Sequence, residues 1–161
     1  MVKEILLLGD PRLYEISSPI EQSELSGLPA IVADLHDTLL AFREKYHAGR
    51  AIAAPQIGVQ KRLLYMYIDR PTVFINPVLE PMGDEQMLVL DDCMSFPGLL
   101  VNVRRYRRCR IRYRDMDWNE QVMELEGDLS ELLQHEYDHL DGILATMRAL
   151  DSKSFFMRGT F

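Results

Sequence analysis

The residues whose types and spacing most clearly suit catalysis lie near the end of the chain, in the run Gln134-His135-Glu136-Tyr137-Asp138-His139. Two histidines four positions apart fall on one face of a helix, so both imidazoles can bind the same metal ion. The glutamate between them then lies beside the water that such a metal would activate. The run therefore predicts metal-assisted hydrolysis, with His135 and His139 as ligands and Glu136 as the general base.

The third metal ligand does not follow from this spacing. A catalytic metal site usually has three protein ligands and one open position, and the candidates here are Cys93, an acidic residue or another histidine. His36 and His47 lie in or at the end of a predicted helix without a partner at ligand spacing, so we interpret them as surface or structural residues. A Cys93 thiolate would complete a site suited to zinc or ferrous iron. The alternatives are a buried structural thiol and a histidine pair on a solvated helix face.

Two helices and several strands are predicted to position these residues. Apolar side chains at three- and four-residue spacing predict an amphipathic helix over 29–47. A second helix is predicted over 128–140, with a capping-box spacing from Asp128 to Glu131 and an apolar stripe of leucines. Strand patterns cover 62–68, 73–76, 87–90, 99–114 and 121–125, a turn is expected near 117–119, and a compact loop covers 49–58. We expect one α+β domain over 1–161, with antiparallel β-sheets around a central metal-bearing helix. The tail 152–161 is expected to pack through Phe155, Phe156 and Phe161.

Composition disfavours several classes of protein. The chain has 161 residues, a net charge of −7 and 47% hydrophobic residues, as expected for one globular domain. No apolar run approaches the roughly 20 residues of a membrane span, and Ile5-Leu6-Leu7-Leu8 is too short for a signal-peptide core. The negative charge disfavours general attraction to nucleic acid or anionic membranes. We expect a cytoplasmic protein in which Cys93 and Cys109 form no disulfide and Cys109 is buried within a strand.

Three separated segments are informative when they are taken together. They are Gly49-Arg50-Ala51-Ile52-Ala53-Ala54-Pro55-Gln56, Asp91-Asp92-Cys93-Met94-Ser95 and Gln134-His135-Glu136-Tyr137-Asp138-His139-Leu140. They resemble the motifs Gly-φ-Gly-φ-Ala-Ala-Pro-Gln, Glu-Gly-Cys-φ-Ser and Gln-His-Glu-x-Asp-His-Leu (φ is apolar) of the peptide deformylase family, in the same order. Gly9-Asp10-Pro11-Arg12-Leu13 and Ile75-Asn76-Pro77 extend the similarity over most of the chain. Three motifs at compatible spacing distinguish this resemblance from a chance match.

The resemblance implies a fold, a reaction and a metal. The fold would be that of peptide deformylase, over the whole chain. The reaction would remove the N-formyl group from the formylmethionine at the N-terminus of newly made polypeptides and release formate. The metal would be one divalent ion, Fe²⁺ in the first place, replaceable by Zn²⁺, Ni²⁺ or Co²⁺.

The resemblance also implies roles for individual residues. The metal ligands would be Cys93, His135 and His139. Glu136 would be the general base and later the acid, while the Gln56 side-chain amide and the Met94 backbone N–H would stabilise the oxyanion. The residues bordering the N-formylmethionyl peptide substrate would be Gly49, Arg50, Ala51 and Ile52.

The first motif departs from the family pattern at two positions. Arg50 stands in place of an apolar residue, and Ala51 stands in place of the second glycine. A guanidinium at the rim of the site would meet a carboxylate or the peptide backbone, or else point to solvent. Ala51 is a mild change if its backbone is ordinary and a strained one if its φ is positive.

The second motif departs from the pattern at two further positions. Asp91 replaces glutamate, and we expect it to pair with Arg105, an arginine at the matching downstream position. Asp92 replaces glycine, and since aspartate tolerates a left-handed backbone we expect it to keep a glycine-like turn. We also expect its charge to raise the pKa of Glu136 or of the water at the metal.

Two other functions are compatible with the sequence. One is a nucleic-acid or ribosome-binding module built on the arginine-rich stretch 104–114. Its alternation favours a half-buried strand instead, with Arg108, Arg110, Arg112 and Arg114 on a solvated face and Cys109, Ile111 and Tyr113 inward. A transient ribosome contact stays a hypothesis, whereas membrane binding and sequence-specific nucleic-acid recognition are not expected. The other function is that of a deformylase-like paralogue that acts on a different small N-acyl substrate or is weakly active.

Overall fold

The computed structural model of the protein, which describes residues 1–159, contains two long helices and eight strands within that range. The helices are α1 (Leu28–Tyr46) and α2 (Asp128–Leu140). The strands are β1 (Ala51–Ala53), β2 (Leu63–Tyr67), β3 (Pro71–Pro81), β4 (Gln86–Asp91), β5 (Leu99–Tyr106), β6 (Arg108–Arg114), β7 (Glu120–Glu126) and β8 (Phe155–Met157). Every pairing between these strands is antiparallel. The predicted α+β class with antiparallel sheets is confirmed.

The larger sheet is covered by a helix on each face. Its strand order is β1-β2-β3-β6-β7, whereas the second sheet has the order β4-β5-β8. Side chains alternate across the larger sheet: Ala51 and Ala53 of β1 lie in the core cluster that contains the leucines of α2, and Ile52 lies in the cluster that contains those of α1. Because both faces are buried, β1 and most of β2 are apolar without a polar face.

Helix α2 passes between the two sheets. Leu133 and Leu140 are fully buried against Phe74, Ile111 and other residues of the larger sheet. The helix begins after Gly127, whose φ of 61° suits glycine, and not at a side-chain cap. The predicted capping box from Asp128 to Glu131 is therefore wrong, because Asp128 is already the first helical residue.

Helix α1 is amphipathic, as predicted. Leu28, Leu35 and Leu39 are buried, whereas Asp34 and Asp37 bind the N-terminal amine on the outer side. By length and composition alone, Gln22–Tyr46 is the one helical segment of the described chain that is apolar enough to cross a membrane. A single segment of this kind is weak evidence for a span, since a helix with one face in a protein core passes the same test.

The structure differs from the sequence prediction in three connecting regions. The predicted loop 49–58 contains strand β1 and a 3-10 turn, Ala54–Ile57. The predicted extended stretch 99–114 divides at Arg107 into β5 and β6, which belong to different sheets. Strand β3 continues through Pro77, because an irregularity in its pairing with β6 accommodates the proline between residues 75 and 78.

The C-terminal segment adds an edge strand to the smaller sheet. Strand β8 pairs with β5, with Phe155 opposite Val101 and Phe156 opposite Leu100. Phe156 is half-buried and Phe155 is exposed, so the predicted packing holds for Phe156 and not for Phe155. Phe161 lies outside the described residues.

Candidate metal and catalytic site

Three buried side chains meet between the two sheets. Cys93 follows β4, while His135 and His139 lie on one face of α2, so their nearest ligand atoms lie within 4.8 Å of one another. The Cys93 Sγ is 3.4 Å from His139 Nε2, and the two imidazole centroids are 5.1 Å apart. Within residues 1–159 this is the one group of at least three His, Cys, Asp or Glu side chains arranged to hold a metal ion. Of the candidates for the third ligand, the geometry favours Cys93.

The chemistry of these side chains fits a divalent transition metal. One thiolate and two imidazoles form a donor set that suits zinc and ferrous iron. Burial lowers the pKa of His139 well below its usual value, which keeps the imidazole in its neutral, ligating form. Burial also tends to lower the pKa of His135, but Asp91 and Cys93 outweigh it and raise that pKa well above the usual value. Occupation of the site by a metal therefore displaces a proton from His135.

Asp91 orients the His135 ring. Its Oδ2 accepts a hydrogen bond of 3.0 Å from His135 Nδ1 and one of 2.8 Å from the Arg105 guanidinium. Burial would raise the pKa of Asp91, but His135 and Arg105 outweigh burial and lower that pKa to about 2. An ionised Asp91 makes Nδ1 the donor, so Nε2 is left to bind a metal. The predicted pair of Asp91 and Arg105 is confirmed.

The same arginine joins the smaller sheet to α2. Arg105 donates at 2.8 Å to Asp138, whose carboxylate also accepts two hydrogen bonds from Arg148. One turn earlier, Gln134 accepts from the Tyr106 backbone N–H and donates to the Tyr106 carbonyl. These contacts fix the rotation and height of α2 against β5, and with them the direction of both histidines.

Gln56 and Met94 lie next to Cys93. The Gln56 Oε1 accepts from the Ala53 backbone N–H, so its Nε2 is directed toward Ser95 Oγ at 3.1 Å and Cys93 Sγ at 3.6 Å. No hydrogen bond within the described chain uses the backbone N–H of Met94. Two N–H donors therefore lie beside the thiol, and their role as oxyanion donors stays a prediction.

Glu136 is buried beside the ligand histidines. Its Oε2 has no hydrogen-bond partner among the described residues. Burial raises the pKa of Glu136 to about 7, and the charges of Asp91 and Asp92 act in the same direction. His135 and Arg50 act in the opposite direction. A carboxyl group with this pKa can both accept and deliver a proton near neutral pH.

These side chains border a cleft of about 640 Å³. Gly49, Arg50 and Ala51 line one wall, as predicted, but the Ile52 side chain is fully buried in the core on the α1 side of β1. The Ile52 side chain therefore does not line the cleft, and only the backbone atoms of Ile52 could border a substrate. Gly49 has a φ of +121°, and a Cβ there would lie 3.4 Å from Leu39 and Phe42, so this position requires glycine.

The four departures from the family motifs have distinct structural outcomes. Ala51 lies in a regular strand without positive φ, so it is a mild change. Arg50 does not simply point to solvent, because its Nη2 binds Glu131 Oε1 at 3.1 Å. Asp92 does not have a positive φ, so the predicted glycine-like turn is wrong. Its carboxylate is exposed and pairs with Arg158 at 2.8 Å.

Comparison with known proteins agrees with this geometry. The sequence model described as polypeptide deformylase matches residues 2–155. The chain belongs to the polypeptide deformylase family. Peptide deformylase 1 of Prochlorococcus marinus (strain MIT 9313) is 37% identical over 170 residues, which cover 98% of this chain and 86% of the relative.

Solved deformylase structures share the fold. The peptide deformylase from Thermotoga maritima has a TM-score of 0.85 and 28% identity, covering 94% of this chain and 99% of that one. The class I type b enzyme from Acinetobacter baumannii, solved with Met-Ala-Ser bound, has a TM-score of 0.84 and 26% identity, covering 92% and 98%. The resemblance and the deformylase-like fold inferred from the motifs are confirmed.

Several residues around the site were missed by sequence reasoning. Glu131 and Arg158 bind the substituted motif residues from 81 and 66 positions away. Arg148 completes the ion pairs of Asp138, and Ser95 accepts from Gln56. Ser95 and Asp138 belong to the recognised motifs, which is the one signal that could have identified them. Nothing in the sequence pattern marks the other three.

Replacement of the two cysteines tests the metal site. Cys93→Ala removes one of three candidate ligands, so protein reconstituted with one equivalent of Zn²⁺ should lose most of its metal on dialysis. Cys109→Ala is the matched control, because Cys109 is also buried but does not belong to the group of side chains arranged to hold a metal. Metal content by elemental analysis should fall only in the first variant. Equal metal retention in both variants would contradict the assignment of Cys93.

Proposed function

We propose that the protein is a metal-dependent hydrolase that removes the N-formyl group from formylmethionine at the N-terminus of newly made polypeptides. The observation that carries the proposal is the convergence of Cys93, His135 and His139 on one point of a cleft that also holds Glu136. Membership of the polypeptide deformylase family supports the reaction. The Met-Ala-Ser peptide bound by the Acinetobacter relative supports a peptide substrate.

Cys93, His135 and His139 would hold the metal. When bound, a divalent ion supplies Lewis-acid polarisation of the formyl carbonyl and activates a water molecule. We propose Fe²⁺ as the native ion, with Zn²⁺, Ni²⁺ or Co²⁺ as replacements, on the basis of the mixed thiolate and imidazole donors.

Glu136 would move the proton. It accepts a proton from the attacking water as a C–O bond forms at the formyl carbon. It then delivers this proton to the amide nitrogen as the C–N bond breaks, so that the products are formate and a free amine. Its burial and its Oε2 without a protein partner support this role, because no hydrogen bond from the described residues has to break before this oxygen accepts the proton.

Gln56 and Met94 would stabilise the negative charge that develops on the formyl oxygen. The Nε2 of Gln56 is held in place by two hydrogen bonds of its own amide, so little reorganisation accompanies the reaction. Since the formyl carbon carries only hydrogen, this close arrangement of Gln56, Cys93 and Met94 would exclude larger acyl groups.

We further propose that residues 1–161 form a single catalytic domain that works in the cytoplasm and does not bind membranes. The described chain supports this, since α2 is packed against both sheets and leaves no separate unit. The net charge of −7 supports the lack of affinity for anionic membranes.

Formate release tests the proposed reaction. Iron-loaded protein, prepared without oxygen, should release formate from formyl-Met-Ala-Ser, and Glu136→Gln should lower kcat/KM by about 10²-fold or more. Glu126→Gln, an exposed glutamate of β7, is the control and should leave the rate unchanged. Formate release that is equally slow in wild type and Glu136→Gln would reject the deformylase assignment. It would instead favour a weakly active paralogue or a different N-acyl substrate.

We also propose a transient contact with ribosomal RNA through the outer face of β5 and β6. Arg104 and Arg108 are exposed and form no ion pair within the described chain, whereas Arg110 and Arg112 are paired with Glu124 and Glu80. This pairing reduces the positive charge of the face, as expected for a half-buried strand rather than a dedicated RNA-binding module.

Charge reversal tests the contact. Wild type should bind ribosomes weakly with a steep dependence on salt, and Arg108→Glu with Arg110→Glu should abolish that binding while formate release from the free tripeptide is unchanged. Ribosome co-sedimentation at two salt concentrations measures this. Binding that survives the double reversal would place the contact elsewhere.

A further inference from the structure

An ion pair lies inside the substrate cleft of this protein. Arg50, next to β1, and Glu131, in the first turn of α2, both line the cleft and meet at 3.1 Å. The Arg50 side chain is 42% exposed and that of Glu131 only 14% exposed, so the carboxylate lies deeper. The motif that contains Arg50 has an apolar residue at this position in the family. The charged lining of the cleft is therefore a property of this chain.

The pair lies one helical turn from the reacting centre. Glu131 precedes the candidate ligand His135 by four residues on the same face of α2, which corresponds to about 6 Å along the helix axis. A formyl group placed between Glu136 and Gln56 brings the side chain of the formylated residue into this neighbouring part of the cleft. That side chain extends over a similar length, so it reaches Arg50 and Glu131.

The hydrogen-bonding capacity of the pair is only partly used. Within the described chain, one N–H of the Arg50 guanidinium binds one oxygen of Glu131, and neither side chain has another hydrogen-bond partner. A substrate that enters the cleft displaces the water that satisfies the remaining donors and the second oxygen. The most favourable side chain is then one that offers an acceptor to Arg50 and a donor to Glu131 at the same time.

Different side chains satisfy this requirement to different degrees. A thioether is a weak hydrogen-bond acceptor and has no donor. Methionine therefore displaces water from both charged side chains and replaces few of the hydrogen bonds that this water made. A carboxylate would bind Arg50 but would be repelled by the like charge of Glu131. An ammonium group would bind Glu131 but would be repelled by Arg50. A neutral carboxamide has both an acceptor and donors, and it leaves the ion pair intact.

We propose that the Arg50–Glu131 pair determines the specificity for the first residue of the substrate and allows the cleft to accept formylated residues with a neutral carboxamide side chain as well as formylmethionine. This inference rests on the proposed function for the position of the formyl group. Glutamine is the natural probe, since its side chain is nearly as long as that of methionine and differs mainly in polarity.

The selectivity ratio of two peptides is the decisive quantity. Formyl-Gln-Ala-Ser and formyl-Met-Ala-Ser are hydrolysed with the same metal, the same general base and the same bond cleavage. The ratio of their kcat/KM values is therefore insensitive to metal loading and to the protonation of Glu136. Wild type should have a ratio of about 0.1 or more, since both side chains are accepted. The double variant Arg50→Leu with Glu131→Leu should shift the ratio toward methionine by about tenfold or more, since it removes the groups that the amide satisfies.

A second ion pair provides the matched control. Arg112 and Glu80 form a surface pair outside the cleft, with an arginine of similar exposure. Arg112→Leu with Glu80→Leu should leave the ratio within twofold of wild type. The two residues of the cleft pair are replaced together, because Arg50→Leu alone would leave Glu131 largely buried without its partner.

Binding of the product peptides separates this inference from the proposed function. Affinities of Gln-Ala-Ser and Met-Ala-Ser for zinc-loaded protein, measured by calorimetry, should show the same preference and the same shift in the double variant. If wild type releases no formate from either substrate but binds the peptides with this preference, the proposed function fails and the specificity pair stands. A wild-type binding ratio that favours methionine by much more than about tenfold, or a ratio that the double variant leaves unchanged, overturns the inference.

Discussion

The structure depends on one buried group of charges, in which Arg105 lies between Asp91 and Asp138. Each contact is 2.8 Å, and all three side chains are almost inaccessible to water. Buried charges are unfavourable unless they are paired, and removal of one partner from such a pair usually destabilises a protein by about 3–5 kcal/mol. Strand β5, the end of β4 and helix α2 are therefore held in one relative position.

The geometry of the candidate metal site follows from this constraint. Asp91 is bound to Arg105 on one side and to His135 on the other, so the position of the arginine is transmitted to the imidazole. Asp138 lies beside His139 on the same helix and is bound to the same arginine. Because Asp91 comes two residues before Cys93, the thiol is held by the same contacts. These contacts thus bring three candidate ligand atoms, from segments about 40 residues apart, within 4.8 Å of one another.

Much of the site could be predicted from sequence, because its residues lie within three short motifs. The spacing of His135 and His139 is sufficient to place both on one helix face, and the motif around Cys93 indicated the third ligand. The division of residues 99–114 between two sheets could not be predicted, since alternation continues across Arg107 and only strand partners reveal the change. The direction of the Ile52 side chain could not be predicted for a similar reason: both faces of β1 are buried, so its sequence pattern contains no information on which side chains face the cleft.

The ion pairs of the cleft could not be predicted either, because their partners are far apart in the sequence. Arg50 was recognised as unusual, but its partner Glu131 is 81 residues away and no local pattern connects them. Asp92 and Arg158 likewise pair across 66 residues. Arg50 and Asp92 each have an oppositely charged partner, so the changes at these two positions leave no isolated charge near the reacting centre.

The most direct measurement of the central claim is X-ray absorption spectroscopy of the protein loaded with one equivalent of Zn²⁺. The claim is that the Arg105-centred charges align one thiolate and two imidazoles on a single ion. We expect one sulfur neighbour at about 2.3 Å from the zinc and two imidazole nitrogens at about 2.0–2.1 Å. A spectrum without a sulfur neighbour, or with the sulfur still present in Cys93→Ala, would contradict it.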